Sequence, residues 1–215
     1  MRKTRGFTLI ELLVAISVMA LLALISWRGL DGMARAQALN RERGDAVLTL
    51  QTTLTQWGAD LDAAVALSQI RAMDWNGRVF RLTRRSTDAG TAQVYVVAWT
   101  LRTDASGGSH WRRWRSPGLD TRAEWQQAWD RAAAWAEDGS NEARDAEVDL
   151  MPANGWQIYY FRNDSWSPAV SAEALGTNTP LPDGVRLVLS LPPGPALAGL
   201  ITRDWVRPSV TVPKT

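Results

Sequence analysis

Apolar residues run almost without interruption near the start of this chain and recur with a definite period elsewhere. From Phe7 to Trp27 about 21 residues (FTLIELLVAISVMALLALISW) are nearly all apolar and carry one charge, Glu11. At about 1.5 Å rise per residue a helix over this run is roughly 31 Å long, the thickness of a bilayer's hydrocarbon core. Gly29 and Gly32 follow, and each weakens a helix locally by roughly 0.5–1 kcal/mol relative to Ala. Val47, Leu50, Leu54, Trp57, Leu61 and Val65 then fall at spacings of three and four, the stripe of an amphipathic helix facing a core. Gly44 and Gly58 interrupt the stripe without moving its register. The pattern predicts one long helix from about Thr8 to about Ser68, greasy on every side in its first half and the spine of a globular head in its second.

Beyond Met73 the texture changes. Asp74-Trp75-Asn76-Gly77 is a turn signal. Val79 to Thr83 and Gln93 to Leu101 are rich in β-branched and aromatic residues and read as strands, separated by a loop at Ser86 to Gly90. Asp104 to Gly108 reads as a hairpin turn and His110 to Arg115 as the returning strand, ended by Pro117-Gly118. Thr121 to Glu137 reads as a helix with Trp125, Trp129, Ala132 and Ala133 on one face and Asp120 as its cap. Asp138 to Asp149 is polar and acidic, the composition of a surface loop. Trp156 to Arg162 and Ser165 to Ser167 suggest a hairpin across Asn163-Asp164. Val170 to Pro182 is loop-like, Val185 to Leu191 alternates, Pro192 to Pro195 breaks the pattern, and Leu200 to Val206 is the last strand. Helix first and antiparallel strands after it make an α+β fold.

Charge gives the apolar run a direction. Arg2, Lys3 and Arg5 precede it and nothing comparable follows at once, so the positive-inside rule places the N-terminus in the cytoplasm and the rest outside. The formal charge of +2 owes its sign to that leader, and no polybasic tract remains without it, which argues against nucleic acid as the main partner. Once leader and anchor are set aside, about 185 residues remain, enough for one compact domain with its own core. Cysteine is absent although the outward orientation implies an oxidising compartment, so the domain stands on packing alone. Twelve tryptophans against three Phe and three Tyr supply large areas for that packing.

Glu11 is the residue out of place. A carboxylate at the centre of a membrane helix costs about 2.5–3.5 kcal/mol on insertion scales, which makes it a functional hypothesis with a partner to be named. If the chain is cut after Gly6, Phe7 becomes the first residue, and its α-amine is the nearest cation. Between helices packed side by side with a small stagger, the carboxylate of one can meet the amine of the next.

Gly6-Phe7-Thr8-Leu9-Ile10-Glu11, after basic residues and before an apolar helix, resembles the class III signal of type IV prepilins and type II secretion pseudopilins. The resemblance implies that a prepilin peptidase cuts after Gly6 and methylates Phe7, while Glu11 registers neighbouring subunits during assembly. An ordinary secretory signal has a shorter apolar core with a small-residue cleavage site after it. The head is similar to the J-type minor pseudopilin of type II secretion through an ordered series of segments. These are Phe80 to Arg84, Val94-Tyr95, Trp111 to Arg113, Tyr159 to Phe161 leading to Trp166, Leu181 to Leu187, and Ile201 to Trp205. It departs from that pattern between Gly118 and Glu147, where the Trp-bearing helix looks like an insertion.

The resemblance implies a pilin-like fold with a cleaved leader (1–6), a transmembrane and assembly helix (7–28) and a periplasmic head (29–215) that includes the second half of the long helix. It implies a bacterial inner-membrane, single-pass protein with a cytoplasmic N-terminus. Its partners would be the I-type and K-type minor pseudopilins and the major pseudopilin, at the tip of a pseudopilus whose assembly it helps to start. A minor pilin of a type IV pilus is the alternative, although that group more often carries a head disulfide. A membrane-anchored periplasmic binding or enzymatic domain is a third reading.

Enzymatic and metal readings find little to stand on. His110, the sole histidine, has no second ligand at metal spacing and reads as a strand surface residue. No nucleophile elbow or Gly-rich phosphate loop occurs. Asp138, Ser140, Glu142, Asp145 and Asp149 could crowd oxygens around Ca²⁺, but the sixth position counted from Asp138 is Ala143, where such a loop needs Gly. Trp111 to Arg115 interleaves base with aromatic, as single-strand nucleic-acid grooves do, yet alternation would put Trp111 and Arg113 on one strand face and Arg112 and Trp114 on the other. The expectation is an assembly role without catalysis, cofactor or metal. Trp125 and Trp129 read as core, or as a partner interface if their helix is a surface insertion.

Overall fold

In the computed structural model, residues 7–86, 93–104, 107–138, 146–171, 180–194 and 196–208 are described. The chain divides into two compact units, Met1–Asp45 and Ala46–Thr215. Helix α1 (Leu9–Asp62) begins in the first and ends in the second. Every described side chain of the first unit is exposed. A helix that is apolar all round and finds no protein to cover it calls for lipid or for other helices. Among the described residues α1 alone is long and apolar enough to cross a membrane. Gly29, Gly32, Gly44 and Gly58 are all helical, so their propensity cost bends no boundary.

In the second unit the predicted stripe turns inward progressively. Val47 is exposed, Leu50 and Leu54 are partly buried, and Trp57 and Leu61 are fully buried. The helix stops at Asp62, a turn and a half before the expected end near Ser68. Its closing backbone groups are claimed by a strand: Val65 N donates to Thr83 O (3.0 Å) and Arg85 N to Ala63 O (2.9 Å). Pairing with the sheet thus overrides a propensity that would have carried the helix on.

Among the described residues nine strands form two antiparallel sheets. The first is a meander in chain order: β1 (Met73–Trp75), β2 (Val79–Arg85), β3 (Val94–Thr103), β4 (Ser109–Arg115) and β5 (Glu147–Pro152). The second, in spatial order, runs β7 (Ser165–Pro168), β6 (Gly155–Arg162), β8 (Gly184–Leu191) and β9 (Gly199–Val206). The inward faces of both sheets share one core with Trp57 and Leu61 of α1, including Phe80, Trp99 and Trp111 from one sheet and Leu187, Leu189 and Trp205 from the other. Trp57 meets Phe80 in a tilted contact (centroids 4.9 Å apart) and Trp99 edge-to-face (5.2 Å), so aromatic area closes the space between helix and sheet.

Helix α2 (Arg122–Asp138) lies over the opposite face of the first sheet. Its start is fixed by a capping box: Thr121 Oγ1 accepts from Glu124 N (3.2 Å), and Glu124 Oε2 accepts from Thr121 N and Asp120 N (3.0 Å each). The cap is therefore Thr121 and not Asp120, whose carboxylate instead takes Gln93 Nε2 (3.3 Å). Trp125, Ala128, Trp129, Ala132, Trp135 and Ala136 form the buried face, against Val79, Val96, Ala98 and Trp114 of the sheet.

Two further expectations are corrected. The turn at Asp74 to Gly77 is confined to Asn76-Gly77, where Asn76 Oδ1 accepts from Arg78 N (3.0 Å) and Val79 N (2.8 Å). Asp74 and Trp75 belong to β1, buried by pairing with β2. The acidic stretch from Asp138 to Asp149 is not all loop, because β5 begins at Glu147 and pairs with β4. The hairpin across Asn163-Asp164 is as expected, both residues taking the positive φ (50° and 59°) of a tight two-residue turn.

Candidate functional site

Gly6, the expected cleavage residue, lies outside the described residues; Phe7 is 86% exposed and stands two residues before the helix. Thr8 and Glu11 close the helix start on themselves. Thr8 N (2.9 Å) and Thr8 Oγ1 (2.8 Å) both donate to Glu11 Oε2, and Glu11 N donates back to Thr8 Oγ1 (3.4 Å). This Thr-x-x-Glu box satisfies donors that a helix otherwise leaves open, and it fixes the carboxylate at the helix rim. Both bonds fall on Oε2. Among the described residues Oε1 takes none, so one oxygen faces outward, available to a cation from elsewhere. The spacing that reveals this box was present in the sequence and went unread beside the more conspicuous charge.

The head holds its end of α1 through a second acid that sequence reading missed. Asp60 is fully buried, and its carboxylate accepts from Arg84 NH1 (2.6 Å), Arg113 Nε (2.7 Å) and NH2 (2.9 Å), Trp99 Nε1 (3.0 Å) and Gln56 Nε2 (3.0 Å). Two guanidiniums and an indole from β2, β3 and β4 thus converge on one helical side chain. Asp62 accepts from Trp205 Nε1 of β9 at 2.8 Å. The signal was an acid inside the apolar stripe, one residue before Leu61, where a charge needs partners to be tolerated.

A third acid clamps α2. Glu147 accepts from Arg102 NH2 (2.6 and 2.8 Å), Trp135 Nε1 (2.6 Å) and Arg112 NH1. Burial pushes its carboxyl up, but the bonds from Arg102, Trp135 and Arg112 outweigh burial and hold it below the usual carboxylate range. A carboxyl lowered in the folded state stabilises the fold above its unfolded value of about 4.3 and loses that contribution as pH falls through the folded value. Thermal melts of the full chain in detergent from pH 6 to 2 are therefore expected to steepen below about pH 4. Glu147→Gln should flatten that limb relative to wild type; parallel curves would count against the clamp.

Trp125 and Trp129 are 3% and 1% exposed, so the partner-interface reading for them is corrected: their rings are the contact between α2 and the sheet. Trp125 Nε1 donates to Thr83 Oγ1 (2.9 Å), and Arg81 lies 4.8 Å from the Trp129 ring. Trp111 and Trp114 are likewise buried, on opposite faces of β4 as the alternation predicts, which leaves neither ring open to stack on a base. His110 is partly exposed with Nδ1 2.8 Å from Asp149 Oδ1, and Asp149 also meets Arg112 NH2 at 3.1 Å. Of the five residues considered for Ca²⁺, Ser140, Glu142 and Asp145 lie outside the described residues, as does the side chain of Asp138. No group of three or more His, Cys, Asp or Glu among the described residues is placed to hold a metal.

Comparison with known proteins meets this geometry at its amino-terminal end. Residues 1–27 match the family described as "Prokaryotic N-terminal methylation motif". Over 64 residues, 30% of this chain, the sequence is 33% identical to "Type II secretion system protein J" of Klebsiella pneumoniae. The match spans 32% of that relative's length. No solved structure matches. The methylation motif opens a long apolar helix that is followed by an antiparallel head, an α+β, pilin-like architecture. The similarity to protein J supports the resemblance to a J-type pseudopilin read from the sequence.

Proposed function

We propose that this chain is a J-type minor pseudopilin that helps to start and cap a type II secretion pseudopilus. The observation that carries the reading is the coincidence of the methylation motif at residues 1–27 with an α1 whose side chains through Asp45 are wholly uncovered. In this reading residues 1–6 are the leader, removed after Gly6. Phe7 carries the methylated amine, 7–28 is the membrane and assembly helix, and 29–215 is the periplasmic head. The helix waits in the inner membrane with its N-terminus on the cytoplasmic side. Glu11 then neutralises the amine of an adjoining subunit, and the apolar surface of α1 is transferred from lipid to other helices. The heads order the I-type, K-type and major subunits. The role is structural, with no reaction assigned to the chain.

Gly6→Ala is expected to block leader removal, leaving the protein in the membrane at its precursor mass. Intact mass and amino-terminal sequencing of the purified full-length product check this: a wild-type product starting at methylated Phe7 and a variant starting at Met1 support the reading. A variant that matures normally would contradict the cleavage site. Capture of the wild-type head from detergent extracts should recover I-type and K-type pseudopilins. Recovery of pilus subunits in their place would assign it to a type IV pilus.

A further inference from the structure

A cation stands where the apolar run ends. Arg28 follows Trp27, which is 71% exposed, and Leu30 beyond it is 64% exposed. The nearest acid, Asp31, lies within helical reach of two arginines, three residues from Arg28 and four from Arg35. It pairs with Arg35, the orientation in which an acid four residues before a base is best placed. Among the described residues Arg28 makes no ion pair or hydrogen bond. The roughly 31 Å of helix before it matches the hydrocarbon thickness, so a span that begins at Phe7 delivers residue 28 to the depth of the headgroups.

We propose that Arg28 and Trp27 form a headgroup anchor, the guanidinium taking a phospholipid phosphate of the outer leaflet and the indole lying beside it at the interface. This inference rests on the reading that the apolar run spans a membrane. A guanidinium presents a planar fork of donors that fits a phosphate's oxygens bidentately and is more weakly hydrated than an ammonium. Tryptophan is the aromatic suited to the boundary, with an apolar body and a polar N–H. Asp31 neutralises Arg35 and so leaves Arg28 free for the lipid. The anchor sets the depth of the span, and it must be released when the helix leaves the bilayer.

The chain has no cysteine, so single cysteine substitutions from Leu22 to Ala36 report water access to a membrane-impermeant maleimide without background. In the full chain reconstituted in phosphatidylethanolamine–phosphatidylglycerol vesicles, labelling should begin just past Arg28. Arg28→Leu joins the apolar run to Leu30 and should move the onset about one helical turn towards the C-terminus, whereas Arg28→Lys should keep it in place. In vesicles of digalactosyldiacylglycerol, which has no phosphate, the wild type should shift as Arg28→Leu does. An onset identical in wild type and Arg28→Leu, or unmoved in the galactolipid, would overturn the anchor while leaving the span intact. A run from Leu22 to Ser26 that labels as readily as Ala36 would overturn the span itself, and the anchor with it.

Discussion

Asp60→Ala should lower the unfolding free energy of the full chain in detergent by about 3–5 kcal/mol, the range for removing one partner of a buried ion pair. The deletion strands the guanidiniums of Arg84 and Arg113, whose side chains are 14% and 12% exposed, together with the Trp99 indole N–H. Each then keeps its desolvation cost and loses its acceptor. Asp60→Asn should lose less, since its carbonyl oxygen can still take one of those donors. Urea titration followed by tryptophan fluorescence reads both, with Asp204→Ala as the contrast. Asp204 faces Arg186 in an exposed pair, bonded at 2.7 Å through both oxygens, and solvent replaces such a partner readily. Asp60→Ala unfolding at the wild-type urea concentration would mean that water reaches the two arginines and that packing alone holds the helix.

If the chain acts as proposed, Glu11→Val should be cleaved and methylated normally yet fail to enter the pseudopilus, abolishing or severely reducing secretion through it. The valine removes two things together, the acceptor that closes the helix start on Thr8 and the negative charge that would answer a neighbour's amine. Glu11→Gln separates them. A glutamine can close the same box, as this motif accepts either residue, but carries no charge. If charge pairing drives assembly, Glu11→Gln should be as defective as Glu11→Val in cross-linking to neighbouring subunits. Assembly near the wild-type level in Glu11→Gln would assign the role of Glu11 to the cap and remove the pairing from the mechanism.

What could be read in advance follows the range over which each interaction acts. The continuous apolar run, the alternation of Val185 to Leu191 and the Asn163-Asp164 turn are local, and each appears where the sequence puts it. The end of α1 was missed because Ala63 and Val65 are drawn to a strand about twenty residues on, a pairing that no local window contains. β5 was missed because Glu147 and Asp149 look like loop residues until their arginine and histidine partners on β3 and β4 are known. The division into two sheets was equally non-local. At the candidate site, Gly6, Phe7 and Glu11 stood out because a charge and a glycine interrupt or border a uniform background. Asp60 did not, since the arginines and the indole that a charge inside the apolar stripe requires come from β2, β3 and β4, outside any local window.

The carboxylates that bind Trp99 and Trp205 are two positions apart at the end of α1, some 200° around its axis. One holds β3 of the first sheet and the other β9 of the second. Tension drawn along the helix therefore meets a polar tether to each sheet, alongside the packing of Trp57 and Leu61 and the backbone bonds that run on into β2.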